Sequence, residues 1–172
     1  MDKPTNEMHE RVSGPRSAQQ AKTRPLDLTA LRQTPGFMIR ILQLEVFDRF
    51  YRFFKPMGMS PVDYAILLIV RDNKTVTQSE LAAVLKMQLP NLVKILTRME
   101  QEGTLKRKRS SRDRRAVELS LTAAGHKRAD EADQLNQAFN KQTLAALAKQ
   151  ERVLFMQLLT RLVEEHLKPR DP

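Results

Sequence analysis

A mainly α-helical fold with a small β-hairpin wing is predicted by three features of this 172-residue chain. Two short amphipathic helices follow closely on each other between Thr77 and Glu102. A strand, a very basic tip and a second strand come next, between Thr104 and Leu121. Strongly apolar helical stretches lie before and after this run. That order is a winged helix-turn-helix with N- and C-terminal dimerisation helices.

Each element has a local reason. Residues 1–33 hold Pro4, Pro15 and Pro25 among polar residues and keep neither a helical nor a strand period. They read as a flexible N-terminal tail, with a short helical turn near Leu26–Leu31. The folded region is expected over 34–168, with the winged helix over 60–121 and dimerisation helices over 35–55 and 122–167. Thr34-Pro35 opens the first helix, since Pro suits the first helical position. Phe37, Ile41, Leu44, Phe47, Tyr51 and Phe54 recur at three or four, and Ile39, Val46, Phe50 and Phe53 widen the apolar face. Such a helix should be buried on more than one side.

Ser60-Pro61-Val62-Asp63 opens the second helix, with Tyr64, Leu67, Leu68, Ile69 and Val70 on its buried side. Lys74–Val76 has the pattern of a short strand. Thr77-Gln78-Ser79-Glu80 is a capping box, Thr at the cap and Glu three residues on. Leu81, Val84 and Leu85 should bury that helix. The next runs from about Leu89 to Glu102, with Leu92, Ile95, Leu96 and Met99 inward and Gly103 ending it. Strands are predicted at Thr104–Arg109 and Arg115–Leu121. Thr122 caps a long helix reaching about Leu147, and a last helix spans Glu151–Leu167. Outer helices whose apolar faces exceed what one small domain can cover point to a second copy, a homodimer.

Composition narrows the function classes. The net charge is +10, and from Lys86 to Arg128 there are 12 Lys/Arg against 4 Asp/Glu, a net +8. The cations therefore sit on the wing and its preceding helix, and a polyanion partner follows. There is no cysteine, which excludes disulfides, thiol catalysis and thiol redox sensing in this chain. The longest aliphatic run, Ala65–Val70, is far too short to span a bilayer. No apolar stretch follows the N-terminal charges, so a cytoplasmic address with no membrane partner is expected. His9, His126 and His166 are far apart, so no metal site is expected. No phosphate loop, nucleophile motif or acid/base pair is present, which argues against an enzyme and gives no catalytic residue and no cofactor.

The site residues follow from the docking of such modules. The second helix of a helix-turn-helix enters the major groove, N-terminal part toward the bases. Gln88, Pro90, Asn91, Lys94, Thr97 and Arg98 point outward on it. Asn91 can offer paired bonds to adenine, Lys94 can reach guanine or phosphate, and Val93 can touch a thymine methyl. In the basic tip, Lys108, Arg112, Arg114 and Arg115 are arginines and lysines suited to a narrow minor groove. Asp113 makes sense there as a brace that orients a neighbouring arginine. Double-stranded DNA is therefore the expected partner, read sequence-specifically by a transcriptional regulator. The competing reading is a non-specific architectural nucleic-acid binder.

The run Leu81–Gly125 resembles the MarR family of transcriptional regulators. The resemblance rests on Leu81-Ala82-Ala83-Val84-Leu85, Leu92-Val93-Lys94-Ile95-Leu96, Glu102-Gly103, Asp113-Arg114-Arg115 and Leu121-Thr122-Ala123-Ala124-Gly125. It covers about residues 34–167. It implies a homodimer held by the first and the two C-terminal helices, on a pseudo-palindromic operator. It implies Asp113 as wing brace and Arg115 as minor-groove arginine, and a repressor released by a small-molecule effector. The chain departs from the family pattern near Lys86, where a small residue is usual, and at Pro90, Asn91 and Val93, where hydroxyls are usual.

The resemblance implies an effector cleft beside the first two helices and the start of the long one, and seven of the nine aromatic residues lie between Phe37 and Tyr64. Arg40, Phe47, Tyr51 and Tyr64 are its candidate lining, with Arg49 or Arg52 near the mouth. Such a set suits an aromatic or phenolic acid, or its CoA thioester. Aromatics at helical spacing also serve simply as core and dimer interface.

Overall fold

A computed structural model describes residues 26–111, 113 and 115–167. The chain divides into two units, residues 1–38 and 39–172. In the first, the described part holds α1 (Thr29–Arg32) and the start of α2 (Pro35–Phe53). The rest of the expected tail lies outside the described residues.

The second unit carries the rest of α2, a 3-10 turn at Lys55–Met57, α3 (Pro61–Asp72), β1 (Val76–Thr77), α4 (Gln78–Val84), α5 (Leu89–Gln101), β2 (Leu105–Arg109), β3 (Val117–Leu121), α6 (Ala123–Thr143) and α7 (Lys149–Leu167). The three strands form one antiparallel sheet in the order β1-β3-β2. Leu105 faces Leu121 and Arg109 faces Val117, while Val76 faces Leu119. This register puts Leu105 and Leu119 inward and leaves Lys106 and Lys108 exposed.

Two capping boxes start α3 and α4. The Ser60 hydroxyl accepts from the Asp63 amide, and the Asp63 carboxylate accepts from the Ser60 amide. Thr77 and Glu80 exchange the same pair of bonds. Thr122 caps α6 by accepting from the Gly125 amide, and its hydroxyl donates to the Gly103 carbonyl at 2.6 Å. One threonine thus closes the C-terminal turn of α5 and opens α6.

The core is centred on Leu81, Leu92, Leu96 and Leu105 from the winged helix and on Phe54, Ile66 and Leu67 behind it. Phe50 stacks on Phe54 at 4.0 Å between ring centroids, and Phe139 of α6 meets both edge-on. Edge-on contacts place the positive ring rim against a negative face, which favours this arrangement over a sandwich.

Several boundaries and burial assignments differ from the sequence reading. Val84 is exposed, and Ala82 takes the buried place beside Leu81. A seven-residue helix is too short for both residues flanking its stripe to turn inward. Ile66, not named among the buried residues of α3, is fully buried. The first short strand lies at Val76–Thr77 rather than at 74–76. β3 starts at Val117 rather than Arg115, because Asp113 closes a turn through Ala116. Glu102 is the cap of α5 and not part of it. The last break lies at 144–148, since the Glu151 carboxylate reaches back to the Ala148 amide and so starts α7 at Lys149.

The expected multi-sided burial of the first helix is not met within one chain. Of α2 only Phe50 is buried, and of α7 no residue is. Ile39, Leu42, Leu44, Phe47 and Tyr51 on α2 and Val153, Leu154, Met156, Leu162 and Val163 on α7 are all exposed. Among the described residues, no helix is long and apolar enough to cross a membrane.

Candidate nucleic-acid interface

The helix-turn-helix is α4 and α5, joined by a turn whose sharpest residue is Lys86. Its φ of 53° lies in the left-handed region, where a side chain is disfavoured. The Met87 amide donates back to the Ala82 carbonyl and fixes the turn.

α5 starts with Gln88 as cap and Pro90 in its first turn, where the missing amide hydrogen would have had no partner. Leu92, Leu96 and Met99 are buried. Gln88, Leu89, Pro90, Asn91 and Lys94 are exposed, and Val93 and Thr97 are half-buried. The predicted outward face is therefore present, with Val93 at its margin.

Arg98 occupies a different kind of position. Its Nη2 donates to Asp63 at 2.5 Å and its Nη1 to Glu102 at 2.9 Å. Asp63 is itself nearly buried and caps α3. Arg98 consequently ties the back of α5 to the start of α3. The sequence reading credited Asp63 with capping alone, and no spacing rule links residues 35 apart.

A second tie holds the wing. Arg107 on β2 donates through Nε and Nη2 to Glu100 on α5, at 2.8 and 2.6 Å, and its amide donates to the same carboxylate at 3.2 Å. These bonds hold the Glu100 carboxyl below the usual glutamate range. Neither residue was named from the sequence as a pair. Opposite charges on both sides of a helix-ending glycine were the available signal.

At the tip, the Asp113 carboxylate accepts from the Arg115 amide at 2.9 Å, and the Asp113 carbonyl accepts from the Ala116 amide. Asp113 thus steadies the backbone that carries Arg115. Ser110 is buried and donates to Glu118 across the hairpin. Lys108 and Arg115 are exposed and form no ion pair among the described residues. Arg112 and Arg114 lie outside the described residues.

The effector candidates are not gathered in one cavity. A cleft of about 500 Å³ is lined by Arg49, Arg52, Phe53, Phe139, Gln142 and Thr143. Tyr51 lines a separate hollow of about 320 Å³ with Lys55, Ser60, Asp63 and Arg98. Tyr64 packs against Phe50 and Phe54. Burial, and then the neighbouring Asp133 carboxylate, push its hydroxyl above the usual phenol range. Arg40 and Phe47 are exposed on α2 and line neither of these hollows. Arg49 and Arg52, expected at the mouth, line the first cleft together with Phe53 and Phe139. Among the described residues no group of His, Asp or Glu is placed to hold a metal.

A helix-turn-helix followed at once by a braced basic hairpin defines a winged helix-turn-helix module. Residues 59–117 match the model of the MarR family. A Thauera aromatica protein, named as a putative transcriptional regulatory protein for the hcr operon, is 28% identical over 131 residues, 76% of this chain and 79% of its own length. The organic hydroperoxide resistance transcriptional regulator of Bacillus subtilis is 29% identical over 89 residues, 52% of this chain and 60% of its own. In structure the chain is similar to the transcriptional repressor CouR bound to a 23-mer DNA duplex, with a TM-score of 0.76, 27% identity and coverage of 81% of this chain and 99% of that one. The match to the MarR family of winged helix-turn-helix transcriptional regulators thus covers the winged-helix segment of this chain, residues 59–117.

Proposed function

We propose that this protein is a repressor that binds a pseudo-palindromic operator as a homodimer and releases it when a small effector binds. The observation that carries this reading is the rigid unit formed by α5 and the wing. Glu100 and Arg107 fasten the wing to α5, and Arg98 and Asp63 fasten α5 to α3. That leaves Gln88, Pro90, Asn91, Val93 and Lys94 for the major groove. Lys108 and Arg115, with Arg112 and Arg114 from the same stretch of sequence, serve the minor groove. Arg98 acts here as a clamp and only secondarily as a phosphate contact. A second copy covers the apolar faces of α2 and α7. CouR has been solved on DNA, as has a mutant of Escherichia coli MarR with operator DNA, which shares the fold at a TM-score of 0.70.

The effector is an aromatic acid or its CoA thioester. Phe53 and Phe139 offer ring faces, and Arg49 and Arg52 offer guanidinium groups for a carboxylate or phosphate. DNA binding by Bordetella bronchiseptica BpsR, an 18% identical structural neighbour, is regulated by 6-hydroxynicotinic acid. A cysteine-based response is closed to this chain.

Selection of bound sequences from a random duplex pool tests the reading. A palindrome with half-site centres ~10 bp apart is expected. Arg115→Ala should weaken binding to it by about 1–3 kcal/mol. Binding of random duplex as tight as of any selected sequence, at one salt concentration, would instead favour an architectural binder. Aromatic acids and thioesters that release the operator should also raise the melting temperature.

A further inference from the structure

The exposed start of α5 carries an apolar patch inside an otherwise cationic surface. Leu89 is 42% exposed, although the second leucine of the same turn, Leu92, is fully buried. Leu89 and Val93 stand four apart and share one flank of the helix, and Pro90 lies between them toward the outermost position. Lys94, one turn beyond Pro90, is exposed beside them. None of these three apolar residues can donate or accept a side-chain hydrogen bond. The helix end nearest the bases holds Gln88, Asn91 and Lys94 as its hydrogen-bonding side chains.

An apolar side chain exposed on a soluble surface is ordinary when it stands alone. Two exposed ones, Leu89 and Pro90, beside the half-buried Val93, at the end of the helix that faces the groove and next to an exposed lysine, have one fitting occupant. In the major groove the single apolar feature of any base pair is the C5-methyl group of thymine. Rested on the operator-binding reading above, we infer that Leu89, Pro90 and Val93 read thymine methyl groups and are the specificity-determining residues of this chain. Asn91, with its adenine-matched amide on the opposite flank, makes the preferred half-site rich in A·T pairs. The readout is thus one of shape and methyl burial.

The test uses the full chain and the duplex selected from the random pool. Each thymine of one half-site is replaced in turn by uracil, which removes the methyl and leaves every hydrogen-bonding edge unchanged. At one or more positions the dissociation constant should rise about fourfold, the value of one buried methyl. The same substitution should cost Leu89→Ala or Val93→Ala little, because the variant has already lost the contact. Circular dichroism melts of both variants confirm that they fold. A selected operator indifferent to uracil at every position overturns the inference and leaves the operator reading standing. So does a uracil penalty that persists undiminished in both variants. A pool from which no sequence is enriched overturns the operator reading, and this inference with it.

Discussion

The Glu100 carboxylate of α5 binds Arg107 of β2 three times, through Nε, Nη2 and the backbone amide, at 2.8, 2.6 and 3.2 Å. A planar guanidinium held by a carboxylate resists rotation better than a lysine would. The wing is thereby set at a fixed angle to the helix that precedes it. The two-groove binding proposed above depends on that angle.

Glu100→Ala should loosen the wing without unfolding the protein. Amide hydrogen exchange at Arg107 should accelerate, and operator affinity should fall, while the melting temperature changes little. Glu100→Gln should be intermediate. Unchanged exchange at Arg107 in Glu100→Ala would show that the strand pairing alone positions the wing.

Gly125 sits where the first turn of α6 crosses the backbone of Thr104. A Cβ there would lie 1.9 Å from the Thr104 carbonyl oxygen and 2.9 Å from its carbon. Backbone atoms cannot move aside as a flexible side chain does. Gly125→Ala should therefore destabilise by about 3 kcal/mol or more in urea melts. Gly36→Ala meets no such atom and serves as the control.

Lys86 pays a conformational penalty for its left-handed backbone. Lys86→Gly should relieve ~1–2 kcal/mol of it, partly offset by the greater freedom of glycine in the unfolded chain. A net gain of up to about 1 kcal/mol in urea melts is expected. A loss would mean that the lysine stem packs against the turn more strongly than its conformation costs.

Acid should weaken the fold by a shallow slope. Arg107 holds the Glu100 carboxyl below its usual range, and the Thr77 amide and hydroxyl do the same for Glu80. A carboxyl with a depressed folded value contributes stability above its unfolded value, roughly 4, and loses that contribution as pH falls through the folded one. Stability should be flat from neutral pH down to about 5 and decline below it, less steeply in high salt. Glu80 is exposed and Glu100 only half-buried, so the slope is small. Urea melts across this range check the sign, and Glu100→Gln should flatten part of the decline.

Much of the winged helix could be read directly from residue order, because its determinants are local. Thr77 and Glu80 are three apart, Gly103 follows the last turn of α5, and the cations of the wing are consecutive. Thr122 was legible as a cap, but its second bond to the Gly103 carbonyl was not. Asp113 was legible as a brace, and among the described residues its carboxylate accepts from the Arg115 backbone amide. The aromatic run suggested one pocket, whereas packing sent Phe50, Phe54 and Tyr64 into the core with Phe139, and left Phe53 and Phe139 together at the cleft.

By itself the sequence determined the order of elements, the caps that start them and the place of the excess charge. Each of these depends on residues within a turn or two of one another, or on composition alone. Only the tertiary structure decided that Arg98 belongs to Asp63, that Arg107 belongs to Glu100, and that Gly125 has no room for a methyl group. Asp63 and Arg98 stand 35 residues apart, and Glu100 and Arg107, though seven apart, lie on different elements, α5 and β2. Their meeting is set by the burial of Leu81, Leu92, Leu96 and Leu105 in one core, which no local pattern encodes.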